Sequence, residues 1–237
     1  MFSINIRIAF HTTTALLLHF LSWTHNLYML KTSHLSHSYS GDQKFTFPDI
    51  SCSSDETLLV LGNSGVGKTT LLHILAGILK PVSGDVILDD TSIYGLSGRK
   101  LDVYRGHNIG LVFQKPHFVQ SISAEENLLL AQKVSGKPTD RKSVQRIMEK
   151  LDIYGRRSAK AYQMSQGEQQ RLSIARALIN QPKLILADEP SSALDDVNCN
   201  KVVQLLQEQS AEVNAALVIV THDNRLKDIF SNYILLN

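Results

Sequence analysis

The feature that most constrains the fold is a glycine-rich turn placed directly after an apolar run. Residues 58–61 are wholly apolar, which is typical of a strand buried on both faces of a parallel sheet. The turn that follows has Gly62 and Gly67 separated by four residues, and then Lys68 and Thr69. A strand followed by a turn of this pattern predicts an α/β fold with a phosphate-binding loop.

The residues of this loop carry the chemistry of nucleotide binding. Residues 69–79 follow it as a predicted helix, and both the backbone N–H groups of the loop and the helix N-terminus attract phosphate. Lys68 supplies a point charge to the β- and γ-phosphates, while the Thr69 hydroxyl is placed to hold Mg²⁺. The predicted ATP ligands are Gly62, Asn63, Ser64, Gly65, Val66, Gly67, Lys68, Thr69 and Thr70.

Two adjacent carboxylates end a second apolar run. Residues 184–187 precede Asp188 and Glu189, and open α/β sheets bind their ligands at the carboxyl ends of the strands. We therefore predict that Asp188 is a partner of Mg²⁺ and that Glu189 orients and deprotonates the attacking water. Taken alone, the pair also fits an acidic surface turn.

A third segment has the pattern of an anion site at a helix start. Residues 165–169 read Ser-Gln-Gly-Glu-Gln, and Leu172, Ala175 and Leu178 follow at helical spacing. A serine hydroxyl and a glycine N–H at a helix N-terminus bind anions. An ordinary helix cap is the alternative for this segment.

With these segments in this order, residues 31–237 resemble the ATP-binding subunit of an ABC transporter. The resemblance implies a RecA-like P-loop core with an N-terminal antiparallel β subdomain and an inserted helical subdomain at about 115–165. It also implies a head-to-tail homodimer that holds two ATP molecules. The family pattern is Leu-Ser-Gly-Gly-Gln, and this chain departs from it at Met164, Gln166 and Glu168.

The resemblance assigns further roles to single residues. It places Gln114 on Mg²⁺ or the attacking water, His222 on the γ-phosphate, and Tyr39 on the adenine ring. The loop that crosses the dimer interface contains Ser192 and Asp195. The signature residues that act on the partner's ATP are Ser165, Gln166, Gly167 and Glu168.

Composition sets limits on partners and location. The formal net charge is +2, which gives no electrostatic reason to expect nucleic acid as a partner. Two cysteines far apart in sequence are typical of a reducing compartment. Residues 1–28 are interpreted as an extension ahead of the domain at 29–237, with a misassigned start as the other interpretation. We read no transmembrane bundle.

These observations together predict a cytoplasmic ATPase that lies on the inner face of the cell membrane and powers a separate permease. The segments at 96–110 and 124–127 resemble the branch of the family that acts in lipoprotein release, macrolide export and cell division. A soluble ABC-type ATPase with a partner outside transport is the alternative.

Overall fold

The computed structural model describes residues 29–39, 44–191 and 196–237. Within these ranges the chain forms two sheets and six α-helices, joined by short 3₁₀ turns. The strands are β1 (Leu30–Ser38), β2 (Lys44–Thr46), β3 (Ser51–Cys52), β4 (Thr57–Gly62), β5 (Ser83–Leu88), β6 (Thr91–Ser92), β7 (Ile109–Val112), β8 (Leu184–Asp188), β9 (Ala216–Thr221) and β10 (Tyr233–Leu236). The helices are α1 (Lys68–Leu75), α2 (Gly98–Asn108), α3 (Ala124–Ser135), α4 (Arg141–Lys150), α5 (Gln166–Leu178) and α6 (Asp196–Glu212).

The larger sheet is parallel and has the strand order β10-β4-β9-β8-β7. Its central strands β8 and β9 are buried at every position, as their continuous apolar sequences predict. Side chains alternate between two cores because successive residues of a strand point to opposite faces. In β4, Leu58 and Val60 join one core, whereas Leu59 and Leu61 join the other.

Each core joins the parallel sheet to a different part of the chain. One contains α1 together with the smaller, antiparallel sheet, in which the order is β2-β1-β5-β6 and β3 pairs with β1. The other contains apolar residues of α3, α4, α5 and α6. The carboxyl ends of β4 and β8 therefore lie between the antiparallel sheet and the helical layer.

The sequence indicates strands near 31–36, 57–61, 85–88, 109–113, 184–187 and 216–220, and the structure has a strand at each place. Strands β2, β3, β6 and β10 and helices α2 and α6 were not predicted. The helix expected over 69–79 ends at Leu75, because Gly77 adopts a left-handed backbone with φ of +66°, a common way for a helix to end. None of the side chains of α2 is buried, so this helix lacks the apolar stripe that marks most surface helices.

The two helices expected between β7 and α5 are present. The amphipathic patterns at 124–134 and 140–151 predict them, and the structure places them at Ala124–Ser135 and Arg141–Lys150. The extension at 1–28 lies outside the described residues. Among the helices that the structure describes, none is both long and apolar enough to cross a membrane.

Candidate functional site

The glycine-rich loop between β4 and α1 has the backbone that the sequence pattern requires. Gly67 has φ of +96°, and a Cβ atom there would lie 2.6 Å from Cδ1 of Phe45. Only glycine fits this position, because a side chain would be strained by the backbone and would also collide with the ring. Lys68 Nζ donates hydrogen bonds to the carbonyl oxygens of Gly62 at 2.8 Å and Asn63 at 3.0 Å. The ammonium group is thus held inside the loop.

The loop and the acidic pair meet at the carboxyl ends of β4 and β8. The Thr69 hydroxyl donates to Asp188 Oδ2 at 3.1 Å. The other carboxylate oxygen, Oδ1, is buried and has no hydrogen-bond partner within the described part of the chain. Burial raises the pKa of Asp188; the neighbouring Glu189 raises it further, while the hydrogen bond from Thr69 lowers it. The charged form of the Asp188 carboxylate is therefore disfavoured.

A bare carboxylate oxygen of this kind fits a divalent cation. Mg²⁺ prefers hard oxygen ligands, and the Thr69 hydroxyl, the Asp188 carboxylate and the Gln114 side-chain carbonyl are all of that type. A bound cation would also offset the desolvation that now disfavours the charged form of Asp188.

Glu189 is the most highly connected residue of the site. It is buried and has a left-handed backbone with φ of +47°, which is uncommon for a residue other than glycine. Its Oε2 accepts a hydrogen bond from the Thr221 hydroxyl at 2.7 Å, and its Oε1 lies 2.8 Å from Nδ1 of His222. Lys68 Nζ lies 3.6 Å from the same Oε1. Because a carboxylate can only accept, Nδ1 of His222 carries a proton.

The predicted signature residues form the start of α5. Ser165 is the N-cap, and its Oγ accepts from the backbone N–H of Glu168 at 3.3 Å. Glu168 in turn accepts from the backbone N–H of Ser165 at 2.7 Å, which completes a capping box. Among the described residues, neither Ser165 nor Glu168 contacts the phosphate loop of its own chain.

A cavity of about 570 Å³ is lined both by the start of α5 and by Glu189. It is lined by Glu189 from the end of β8 and by Gln114 from the loop after β7. Gln166 and Gly167 line it from the first turn of α5. Gln114, Glu189 and the first turn of α5 therefore line one cavity, and the described residues that line it include none of the phosphate loop at 62–69.

Of the other residues that the resemblance assigns, the structure describes Tyr39 but not the two residues of the interface loop. The Tyr39 hydroxyl lies 3.1 Å from Oγ1 of Thr70, so the tyrosine is beside the first helix turn after the loop. Its side chain is 47% exposed and makes edge contacts with His37 and Phe45, which leaves surface free for a stacked base. The interface loop residues Ser192 and Asp195 lie outside the described residues.

Two contributors to the site were not predicted. Thr221 is fully buried and orients Glu189; a single hydroxyl at the end of an otherwise apolar strand was the available signal. Arg156 lies 3.3 Å from Glu168 Oε1 through its Nε. It precedes the signature by nine residues, and nothing in the local sequence distinguishes it from the other basic residues nearby.

Comparison with known proteins identifies the family. The family model described as ABC transporter matches residues 48–192, which is more than half of the chain. This chain belongs to the ABC transporter family. It is an ATP-binding subunit with ATPase activity, as its phosphate loop, its acidic pair and its relatives agree. The α/β fold with a RecA-like P-loop core is likewise confirmed.

Curated relatives of this chain include ATP-binding proteins of the lipoprotein-releasing system. The lipoprotein-releasing system ATP-binding protein LolD of Idiomarina loihiensis is 37% identical over 206 residues, which cover 84% of this chain and 90% of that protein. LolD of Bacteroides fragilis is 37% identical over 204 residues, covering 85% and 94%. A solved structure, the dimeric cassette MJ0796 in a post-hydrolysis state with ADP and phosphate, has a TM-score of 0.78. It is 30% identical and covers 88% of this chain and 94% of that one.

Proposed function

We propose that this ABC subunit acts as a head-to-tail homodimer that hydrolyses Mg²⁺-bound ATP to power a separate membrane permease for lipoprotein release. The observation that carries the proposal is the position of Glu189, which is buried between Lys68, Thr221 and His222 beside the phosphate loop. This arrangement gives one carboxylate both a fixed orientation and a location at the γ-phosphate end of the loop.

The chemistry is the transfer of a phosphoryl group to water. ATP phosphates compete for Lys68 with the carbonyl oxygens of Gly62 and Asn63 and with Glu189, and drawing the ammonium toward the nucleotide leaves Glu189 available. Glu189 then accepts a proton from water while the water oxygen bonds to the γ-phosphorus and the bond to the β–γ bridging oxygen breaks. ADP and phosphate result. A ring N–H of His222 donates a hydrogen bond to the γ-phosphate.

Mg²⁺ completes the charge balance when it is bound. The residues that would hold it are Thr69, Asp188 and Gln114, and the unpartnered Oδ1 of Asp188 supports this assignment. The cation neutralises charge on the β- and γ-phosphates. Until it binds, Thr69 keeps the carboxylate oriented through the 3.1 Å hydrogen bond.

The signature supports a site completed by a second copy. Ser165 and the N–H groups of Gln166 and Gly167 are available at the start of α5, where the helix dipole favours phosphate. These groups line or border the cavity beside Glu189 and do not reach the phosphate loop of their own chain. A second copy turned head to tail can place its ATP there, and MJ0796 is a dimer of this kind of cassette.

The lipoprotein-release role is supported by the two LolD relatives, each 37% identical. We assign the subunit to the cytoplasmic face of the membrane, where ATP is available. In this arrangement Tyr39 stacks on adenine, and Ser192 and Asp195 cross the dimer interface. We expect no nucleic acid partner.

Affinity capture from native membranes tests this proposal. The Glu189→Gln variant, which should hold ATP without hydrolysing it, is captured with ATP and Mg²⁺, and the proteins that come with it are identified by mass spectrometry. We expect an integral membrane permease in stoichiometric yield, and Lys68→Ala serves as the control that should lose it on washing with ATP. Recovery of only soluble ribosomal or DNA-bound partners would contradict the transport role and favour a soluble ABC-type ATPase.

A further inference from the structure

The first turn of α5 carries a negative charge at the place where a partner's ATP has to dock. Glu168 stands where the family pattern has glutamine. Its pKa is lowered, chiefly by the hydrogen bond from the Ser165 backbone N–H, so the carboxylate is ionised at neutral pH. A carboxylate within one helical turn of the phosphate-facing N–H groups would repel a γ-phosphate by simple like-charge interaction.

Both oxygens of this carboxylate are engaged. Oε2 accepts from the Ser165 N–H at 2.7 Å, and Oε1 lies 3.3 Å from Nε of Arg156. This leaves the N–H groups of Gln166 and Gly167, one and two positions further along, without a side-chain acceptor among the described residues. Arg171 on the same helix adds a second, weaker favourable charge.

Arg156 is itself held in place by the turn that precedes the signature. Its Nη2 donates to the carbonyl oxygen of Gln163 at 2.5 Å. The backbone N–H of Lys160 donates to Oε1 of Gln163 at 2.9 Å, and the N–H of Gln163 donates to the Lys160 carbonyl at 2.9 Å. The Arg156 guanidinium therefore joins the turn at 160–163 to the Glu168 carboxylate.

We propose that Arg156 is a positioning residue for the signature: it neutralises Glu168 and holds its carboxylate on the Ser165 N–H, so that the helix start can receive the partner subunit's ATP. This inference rests on the proposed head-to-tail dimer. It assigns to Arg156 no contact with nucleotide; Arg156 acts only through Glu168.

The test compares ATP-driven dimerisation of five proteins by sedimentation, all carrying Glu189→Gln so that ATP is not consumed. They are the parent, Arg156→Ala, Arg156→Lys, Glu168→Gln and the double variant Arg156→Ala with Glu168→Gln. One exposed ion pair changes an equilibrium by up to about fivefold, and the dimer contains two such pairs. We therefore expect Arg156→Ala to weaken dimer association by up to about 25-fold, and Arg156→Lys to recover most of it.

The double variant separates charge neutralisation from a general structural role. Glutamine at 168 keeps the capping box but has no charge to neutralise, so we expect the double variant to dimerise within about twofold of Glu168→Gln alone. ATP affinity of the monomer, which depends on the phosphate loop, should not change in any variant. Arg157→Ala is the matched control, because the side chain of this neighbouring arginine packs over the Tyr154 ring and its loss should leave dimerisation unchanged.

Three results would overturn the inference. Unchanged dimerisation of Arg156→Ala would show that Glu168 needs no counter-charge. A double variant as weak as Arg156→Ala would mean that the arginine acts through folding and not through charge. If the Glu189→Gln parent fails to dimerise with ATP, the proposed dimer is wrong, and so is the role of Arg156. The parent protein alone distinguishes this outcome from the other two.

Discussion

At the scale of single residues, Lys68 shows how the site is prepared for phosphate. Its ammonium group lies within 3.0 Å of two loop carbonyl oxygens and 3.6 Å from Glu189 Oε1. We predict that Lys68→Ala lowers ATP hydrolysis by at least about 100-fold, because a pre-positioned cation is lost at the transferring phosphoryl group. The measurement is steady-state phosphate release, with Lys133→Ala on the exposed face of α3 as control. Hydrolysis at the wild-type rate would disprove the loop assignment.

Asp188 gives a prediction about stability as a function of pH. Because burial raises its pKa, the native state retains a proton at pH values where the unfolded chain has lost it. The stabilising contribution is therefore complete below the usual aspartate pKa and is lost as the pH rises through the raised value. Asp188→Asn cannot ionise, so without nucleotide or Mg²⁺ it should have a higher Tm than wild type at neutral pH.

The Tm difference should narrow as the pH is lowered from about 7.5 to about 5. The same variant should lose the increase in Tm that Mg²⁺ with ATP gives to the wild type, because the cation loses a charged ligand. Asp102→Asn is the matched control, since that carboxylate is exposed and paired with Arg105 at 2.7 Å. A lower Tm for Asp188→Asn across the whole pH range would contradict this account.

At the scale of elements, helices α3 and α5 begin in the same way, and this permits a matched experiment. Ser123 and Ser165 are both N-caps with a reciprocal glutamate three residues later. Loss of either hydroxyl should cost about 1 kcal/mol of unfolding free energy, which lowers Tm by about 2–4 °C in a chain of this size. Only Ser165→Ala should also weaken ATP-driven dimerisation, since α5 is the helix that we propose to face the partner's nucleotide. Equal dimerisation by the two variants would contradict the signature assignment.

The elements also show which parts of the fold can be predicted from the sequence. The buried strands β4, β8 and β9 were predicted because parallel strands covered on both faces must be continuously apolar. Helix α2 was missed because only Leu101 and Tyr104 of its side chains pack partly against the core, and part of its attachment is polar, such as the Tyr104 hydroxyl on the Leu88 carbonyl at 2.7 Å. Periodicity of apolar residues cannot predict an element that is attached in this way.

The site residues that could be predicted are those that belong to a sequence motif. Lys68, Thr69, Asp188 and Glu189 follow directly from motifs, and the structure brings them together. Thr221 and Arg156 belong to no motif, because their partners, Glu189 and Glu168, lie in other parts of the chain. Such contacts depend on tertiary geometry: the sequence marks Thr221 only by a hydroxyl at the end of an apolar strand, and it does not mark Arg156 at all.

At the scale of the whole molecule, the chain contains two parts of a site that it does not join. Lys68 and Glu189 lie at the carboxyl edge of the parallel sheet, and Ser165 begins a helix of the other layer. The cavity of about 570 Å³ lies between Glu189 and the first turn of α5. A homodimer that exchanges these surfaces would complete two sites at once, which accounts for a signature that does not contact its own loop.

The most direct test of this account is sedimentation of Glu189→Gln with and without Mg²⁺-ATP. Because Glu189 is the proposed general base, its replacement should lower the rate of hydrolysis by at least about 100-fold while leaving ATP bound. The account therefore predicts a monomer without nucleotide and a stable dimer with ATP. ADP should leave the protein monomeric, because it lacks the γ-phosphate that the signature binds. A variant that stays monomeric at saturating ATP, or that hydrolyses ATP like the wild type, would contradict the account.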